Sequence, residues 1–227
     1  LLETSEAAVL LDCGFGSFAS YLDHAQASRL DAIVVSHAHG DHSADLDDFL
    51  SFAPAWRERP RVIVSYETLS AMTRQPSASD VEVIVVSDGS LVERSTFRVE
   101  CSSTTHQLAT LAVQVTMGGA RVVYGADTGP GWRIPSPFLR PDVAILECTL
   151  ENRDAASSPY HLDAHEVGAL AQSLDALRTI VTHVPPHGNA LARVDLARRA
   201  APERDFLPAM TGQRIVVGPN FEPDHYR

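Results

Sequence analysis

The chain has 227 residues, 44% hydrophobic and 21% charged, a composition that excludes disordered and collagen-like classes and suits one globular domain over residues 1–227. Its 29 acidic and 18 basic side chains leave a net charge of −11, and every base is arginine, with no lysine anywhere. A protein that grips a long polyanion presents a basic face. The nearest thing here is Arg193, Arg198 and Arg199 in "ARVDLARRA", which reads as a solvated helix face.

The opening "LLETSEAAVLLDCG" has no initiator methionine and starts as if inside a strand, so residues upstream are expected and a signal peptide is left unread. A strand is predicted at "AAVLLDC", a helix around "SFASYLDHAQA", and a short buried strand at "LDAIVVS". "HSADLDDFLSFAPAW" has a helical pattern up to Pro54, and "RVIVSYE" and "VEVIVVSDG" read as strands. The block from Leu91 to Gly129 is rich in strands and carries a hairpin signal in "TMGGAR". A strand at "DVAILECT", a helix at "DAHEVGALAQSLDAL", a strand at "RTIVTHV" and a helix at "ALARVDLARRA" complete the order. Two mixed sheets face to face, with helices on both outer faces, accommodate it. No apolar run approaches the ~20 residues of a membrane helix. Cys13, Cys101 and Cys148 are odd in number and form no CxxC, which argues against a disulfide scaffold and fits a cytoplasmic protein.

The chemistry concentrates in Ser36–His42, "SHAHGDH", where three histidines and an aspartate fall within seven residues. Imidazole and carboxylate are transition-metal ligands, and packing gives no reason to crowd them together. Alternation along the extended chain places His37 and His39 on one side, and Gly40 lets the turn send Asp41 and His42 elsewhere. Two directions imply two metal ions. Further ligand candidates close predicted strands: His106 after "SSTT", Asp127 after "RVVYGA", Glu147 after "DVAIL" and His183 after "TIVT".

"LLDCG", "SHAHGDH", His106, "GADTG", "ECTL", "HLDAHEVG" and "VTHVPP" occur in an order that resembles the metallo-β-lactamase superfamily, from Leu1 to about Val217. The likeness is to its phosphodiesterase branch, which includes ribonuclease Z and small cyclic-nucleotide phosphodiesterases. It implies an α/β fold, a four-layer αββα sandwich with the metals at one edge. It also implies that His37, His39 and His106 hold one ion, that Asp41, His42 and His183 hold the second, and that Asp127 bridges them. Asp12 would prop the ligand loop, Glu147 would support His161 near the leaving group, and Asp41 would help to orient the nucleophile. Zinc suits an imidazole and carboxylate set without thiolate, and manganese or iron fit the same ligands.

Some features depart from the branch. Only 20 residues separate His106 from Asp127, too few for the arm with which ribonuclease Z grips tRNA. With the acidic balance, this argues against tRNA and for a small-molecule substrate, with no membrane partner and a homodimer left open. Ala126 replaces a usual Gly and His187 a usual Trp, while His165 reads as a surface residue. The functional expectation is a phosphodiesterase acting on a small phosphodiester or cyclic nucleotide. The alternatives are a lactonase, esterase or thioesterase on the same metals, an iron redox enzyme, or a binding module without catalysis.

Overall fold

The computed structural model describes residues 1–24, 30–52, 59–72, 76, 81–154 and 156–218. Short, β-branched apolar segments form strands, and each sheet then needs a helical layer to cover its outer face. The first half contributes β1 (Leu2–Glu3), β2 (Ala8–Leu11), α1 (Ser17–His24), β3 (Ala32–Val35), α2 (Gly40–Ser43) and α3 (Leu46–Phe52). It continues with β4 (Arg61–Ser65), α4 (Tyr66–Ala71) and β5 (Glu82–Val86). These strands form a five-stranded sheet in the order β1-β2-β3-β4-β5, parallel from β2 onward.

The second sheet begins with β6 (Leu91–Glu93), β7 (Phe97–Ser103), β8 (Leu111–Met117) and β9 (Ala120–Tyr124), an antiparallel run. The β8–β9 turn uses Gly118 and Gly119 at φ 57° and 82°, the left-handed pair that a tight hairpin requires. Then come β10 (Val143–Glu147), α5 (Ala164–Leu174), β11 (Arg178–Thr182), α6 (Ala190–Ala200) and β12 (Asp205–Pro208). The order is β12-β11-β10-β9-β8-β7-β6, and β9 to β12 are parallel.

Strand alternation shows the layering. In β3, Ala32 and Val34 pack with Val9, Ile63, Val99 and Val113 between the sheets, while Ile33 and Val35 face Phe49 and Leu46 of α3. On the other outer face, Val123 and Leu146 pack with Val167 and Leu174 of α5 and Val194 of α6. This is the expected αββα sandwich.

The structure corrects four local expectations. The helix predicted from His42 is two helices, because Asp45 turns out of the ladder: its N–H donates to the Cys13 carbonyl and its carboxylate accepts from Phe18 N. The strand expected to run through Tyr66 stops at Ser65, whose hydroxyl caps α4 by accepting from Thr68 N. Strand β12 was not anticipated; its Pro208 is tolerated because the strand lies at the sheet edge. Arg193 is buried rather than solvated, with its guanidinium on the carbonyls of Cys148 and Thr149. The predicted continuations through Ala27 and from Ala53 to Trp56 lie outside the described residues. Among the described residues, no helix is long and apolar enough to cross a membrane.

Phe49 is fully buried, with edge-on contacts to Phe18 at 5.1 Å and Tyr21 at 5.4 Å between ring centroids. Phe49→Ala should therefore lower unfolding free energy by ~3–5 kcal/mol in denaturant titration. A loss below ~1 kcal/mol would mean that α3 does not anchor this layer.

Candidate metal centre

The seven ligand candidates, with Asp12 and Glu147 beside them, lie at or follow the C-terminal ends of strands, the edge at which open α/β sheets bind their ligands. Asp12 follows β2, the histidine cluster follows β3, His106 follows β7, Asp127 follows β9, Glu147 ends β10 and His183 follows β11. Three of these exits are bent into left-handed backbone, at Asp12 (φ 57°), Ala126 (φ 50°) and His183 (φ 56°). For Ala126 this explains why glycine would be the easier residue there. Such local strain persists only where surrounding contacts hold it, and it concentrates at functional sites.

Two groups of ligand atoms result, each with its atoms within 4.8 Å of one another: His37, His39, His106 and Asp127, and Asp41, His42 and His183. In the first, His39 Nδ1 lies 2.9 Å from His37 Nε2 and 3.2 Å from His106 Nε2. Asp127 Oδ2 is 3.8 Å from both of those Nε2 atoms. In the second, Asp41 Oδ2 lies 3.2 Å from His183 Nε2 and 3.7 Å from His42 Nε2. Asp127 turns its other oxygen this way: Oδ1 is 3.2 Å from His42 Nε2 and 3.5 Å from His183 Nε2. One carboxylate thus faces both groups, one oxygen to each.

Residues 7–184 match the family described as the beta-lactamase superfamily domain. The chain belongs to the metallo-β-lactamase superfamily. It is 26% identical over 196 residues to YhfI of Bacillus subtilis, named a probable metallo-hydrolase, covering 83% of this chain and 80% of that protein. The crystal structure of YhfI superposes with a TM-score of 0.78 at 22% identity, over 93% of this chain and 88% of that one. The short form of human tRNase Z is similar at a TM-score of 0.70 and 17% identity, covering 96% and 91%. A diphosphatase of the PhnP family gives 0.63 and 20%, covering 80% and 70%.

In this superfamily member the residues present fit a pair of metal ions. His42 Nε2 and Asp127 Oδ1 are buried and 3.2 Å apart, yet neither has a hydrogen-bond partner. His42 Nδ1 is committed to Asp12 Oδ2 at 2.6 Å, so its free nitrogen is the one that points at the carboxylates. An imidazole nitrogen and a carboxylate oxygen converging on one place with no hydrogen bond of their own are what a cation satisfies once it displaces the imidazole proton. The fold brings the seven ligand candidates together, and the two clusters sharing Asp127 point to a dinuclear metal hydrolase.

Asp12 is the hub beneath them. It accepts from Ser36 N (2.7 Å), Ser36 Oγ (2.7 Å), His42 Nδ1 (2.6 Å) and Tyr124 Oη (2.6 Å). Gly14 lets its loop reach the ligand helix, since a Cβ there would stand 1.7 Å from the Asp41 carbonyl oxygen. Beside the second group lies a cleft of 380 Å³, walled by Leu11, Phe15, Asp41, His183 and Glu147.

Glu147 and His161 lie side by side, with His161 Nδ1 2.9 Å from Glu147 Oε1. The loop bearing His161 is held by Arg153, which donates to the carbonyls of Ser158 (2.7 Å) and His161 (2.5 Å) and pairs with Glu166. Glu166 also completes a capping box with Asp163 at the start of α5. His165 and His187 are exposed. Three contributors carried no signal of their own in the sequence: Tyr124 under Asp12, Arg193 under the loop after β10, and Thr149 between Glu147 and His183.

Charge balance gives a test. Burial opposes protonation of His42, but the hydrogen bond to Asp12 and the negative charge of Asp127 beside it prevail and push it up to about 10. Burial takes His37 down to about 3. Burial would raise Asp127, but His42 beside it, with His183 and His37, holds it below the usual carboxylate range. At neutral pH the metal-free protein therefore holds His42 as an imidazolium and His37 as a neutral imidazole. Filling the second group must expel about one proton, and affinity there should rise about tenfold per pH unit until the pH nears 10. His37 contributes no release to the first group. Calorimetric zinc titrations in buffers of different ionisation enthalpy would count the protons; no release at either step would contradict this charge assignment.

Proposed function

We propose that this chain hydrolyses small phosphodiesters, cyclic nucleotides among them, with two divalent ions held by the ligand groups above, zinc being the metal that best suits the donors. The observation that carries the reading is the His161–Glu147 pair set against the dinuclear cluster, with His161 Nδ1 3.9 Å from Asp127 Oδ2. When bound, the ions supply an activated water and positive charge opposite the phosphoryl oxygens.

The protein groups supply the rest. His37, His39, His106 and Asp127 serve one ion, and Asp41, His42 and His183 with Asp127 the other. The Asp41 side chain is more than half exposed, so it can accept a hydrogen bond from the attacking water and orient it. With Nδ1 tied to Glu147, the proton that His161 can deliver to a departing alkoxide sits on Nε2. The hydrogen bond to Glu147, working against burial, raises the His161 pKa and so favours the protonated imidazole an acid needs. The absence of lysine is consistent with ions providing the charge at the phosphoryl group.

A carbonyl hydrolase on the same ions is the rival reading. A thioester's thiolate leaves with little help from an acid, whereas an alkyl ester or lactone expels an alkoxide as an alkyl phosphodiester does, so the substrate classes must be compared directly. His161 also falls with Asp127 and His183 in a third group of potential ligand atoms, which makes it a candidate ligand. One variant separates these roles. His161→Ala should keep both ions and slow an alkyl phosphodiester by ~10²–10⁴-fold while affecting a bis-nitrophenyl diester far less. Loss of an ion would make His161 a ligand, and equal slowing on both substrates would remove it as the acid.

A further inference from the structure

The Thr149 hydroxyl touches three functional side chains at once. Its Oγ1 lies 2.6 Å from Glu147 Oε2, 2.8 Å from His183 Nδ1 and 3.2 Å from His161 Nδ1. A hydroxyl has one proton to give and two lone pairs. The Glu147 carboxylate can only accept, and it lies nearest, so the hydroxyl proton goes there. His183 Nδ1 must then donate to Thr149 Oγ1. That leaves the His183 lone pair on Nε2, the atom 3.2 Å from Asp41 Oδ2 and 3.5 Å from Asp127 Oδ1.

We propose that Thr149 is a positioning residue that sets the His183 tautomer for ligation and ties the second ligand group to the Glu147–His161 pair. Its own placement is built in from two directions. Thr149 N donates to Glu147 Oε2 at 3.1 Å, and the buried Arg193 of α6 donates from one guanidinium nitrogen to the carbonyls of Cys148 and Thr149. Glu147 is almost fully buried, and its other oxygen accepts from Thr128 N at 3.0 Å as well as from His161. The carboxylate is thereby fixed at both ends. A shift of His183 on binding an ion would pass through Thr149 to the residue that carries the acid.

The proposal deepens the phosphodiesterase reading and rests on it for the role of His161, but not for metal binding. Two variants divide the side chain: Thr149→Val keeps the methyl group and removes the hydroxyl, and Thr149→Ser does the reverse. Metal-free protein would be titrated with zinc against a chromogenic chelator, so the readout needs no substrate. Thr149→Val should weaken one of the two ions by ~10–100-fold, as loss of a hydrogen bond behind a ligating histidine does, and leave the other unchanged. Thr149→Ser should bind both ions as the unaltered protein does. On diesters, Thr149→Val should slow alkyl substrates more than nitrophenyl ones at saturating zinc. Unchanged zinc affinity at both sites in Thr149→Val would overturn the proposal. Equal damage from the serine variant would also overturn it, because packing of the methyl group would then be the cause.

Discussion

The arrangement depends on one carboxylate. Asp127 lies buried at the exit of β9 with one oxygen turned toward His37 and His106 and the other toward His42 and His183. Five imidazoles around a single buried carboxylate, His161 being the fifth, would be costly to assemble if they were only neighbours, since polar groups taken from water must recover what they lose. The two unpartnered atoms, His42 Nε2 and Asp127 Oδ1, show where that recovery is incomplete within the protein alone. Cations held by these groups would complete it.

The fold makes this possible by bringing many strand ends to one edge. Parallel strands of both sheets end together, so residues following β2 and β3 meet residues from the ends of β10 and β11 more than a hundred positions further along the chain. The left-handed exits at Asp12, Ala126 and His183 turn the chain sharply enough to aim side chains back into the cleft. Hydrogen bonds then lock them. Asp12 joins three ligand-bearing elements through Ser36, His42 and Tyr124, and Glu147 joins the loops after β9 and β10 to His161. A rigid supporting layer of this kind keeps ligands in place for catalysis.

Much of this was legible in the sequence, for identifiable reasons. "SHAHGDH" is contiguous, so its ligand chemistry shows without any tertiary information. The αββα layering follows from the order of β-branched runs and amphipathic helices. His106, Asp127 and His183 stood out as polar residues closing apolar strands, although their division between two ions came only from the family resemblance. Thr149 was not legible, because a hydroxyl in "ECTL" acquires its meaning from Glu147, His161 and His183, the last two of them 12 and 34 positions away. Arg193 was misread as solvated since a helix with arginines nearby looks exposed until α6 is seen against the loop after β10. The break between α2 and α3 likewise depends on Asp45 reaching back to Cys13 and Phe18, contacts that no local propensity encodes.

The central claim is that Asp127 joins two ions into one centre. Elemental analysis of the purified protein, alongside an Asp127→Ala variant, tests it most directly. The account predicts close to two transition-metal ions per chain in the unaltered protein, and in the variant a loss of metal together with most of the turnover. At most one ion per chain with full activity, or an Asp127→Ala variant that turns over as well as the original, would contradict it.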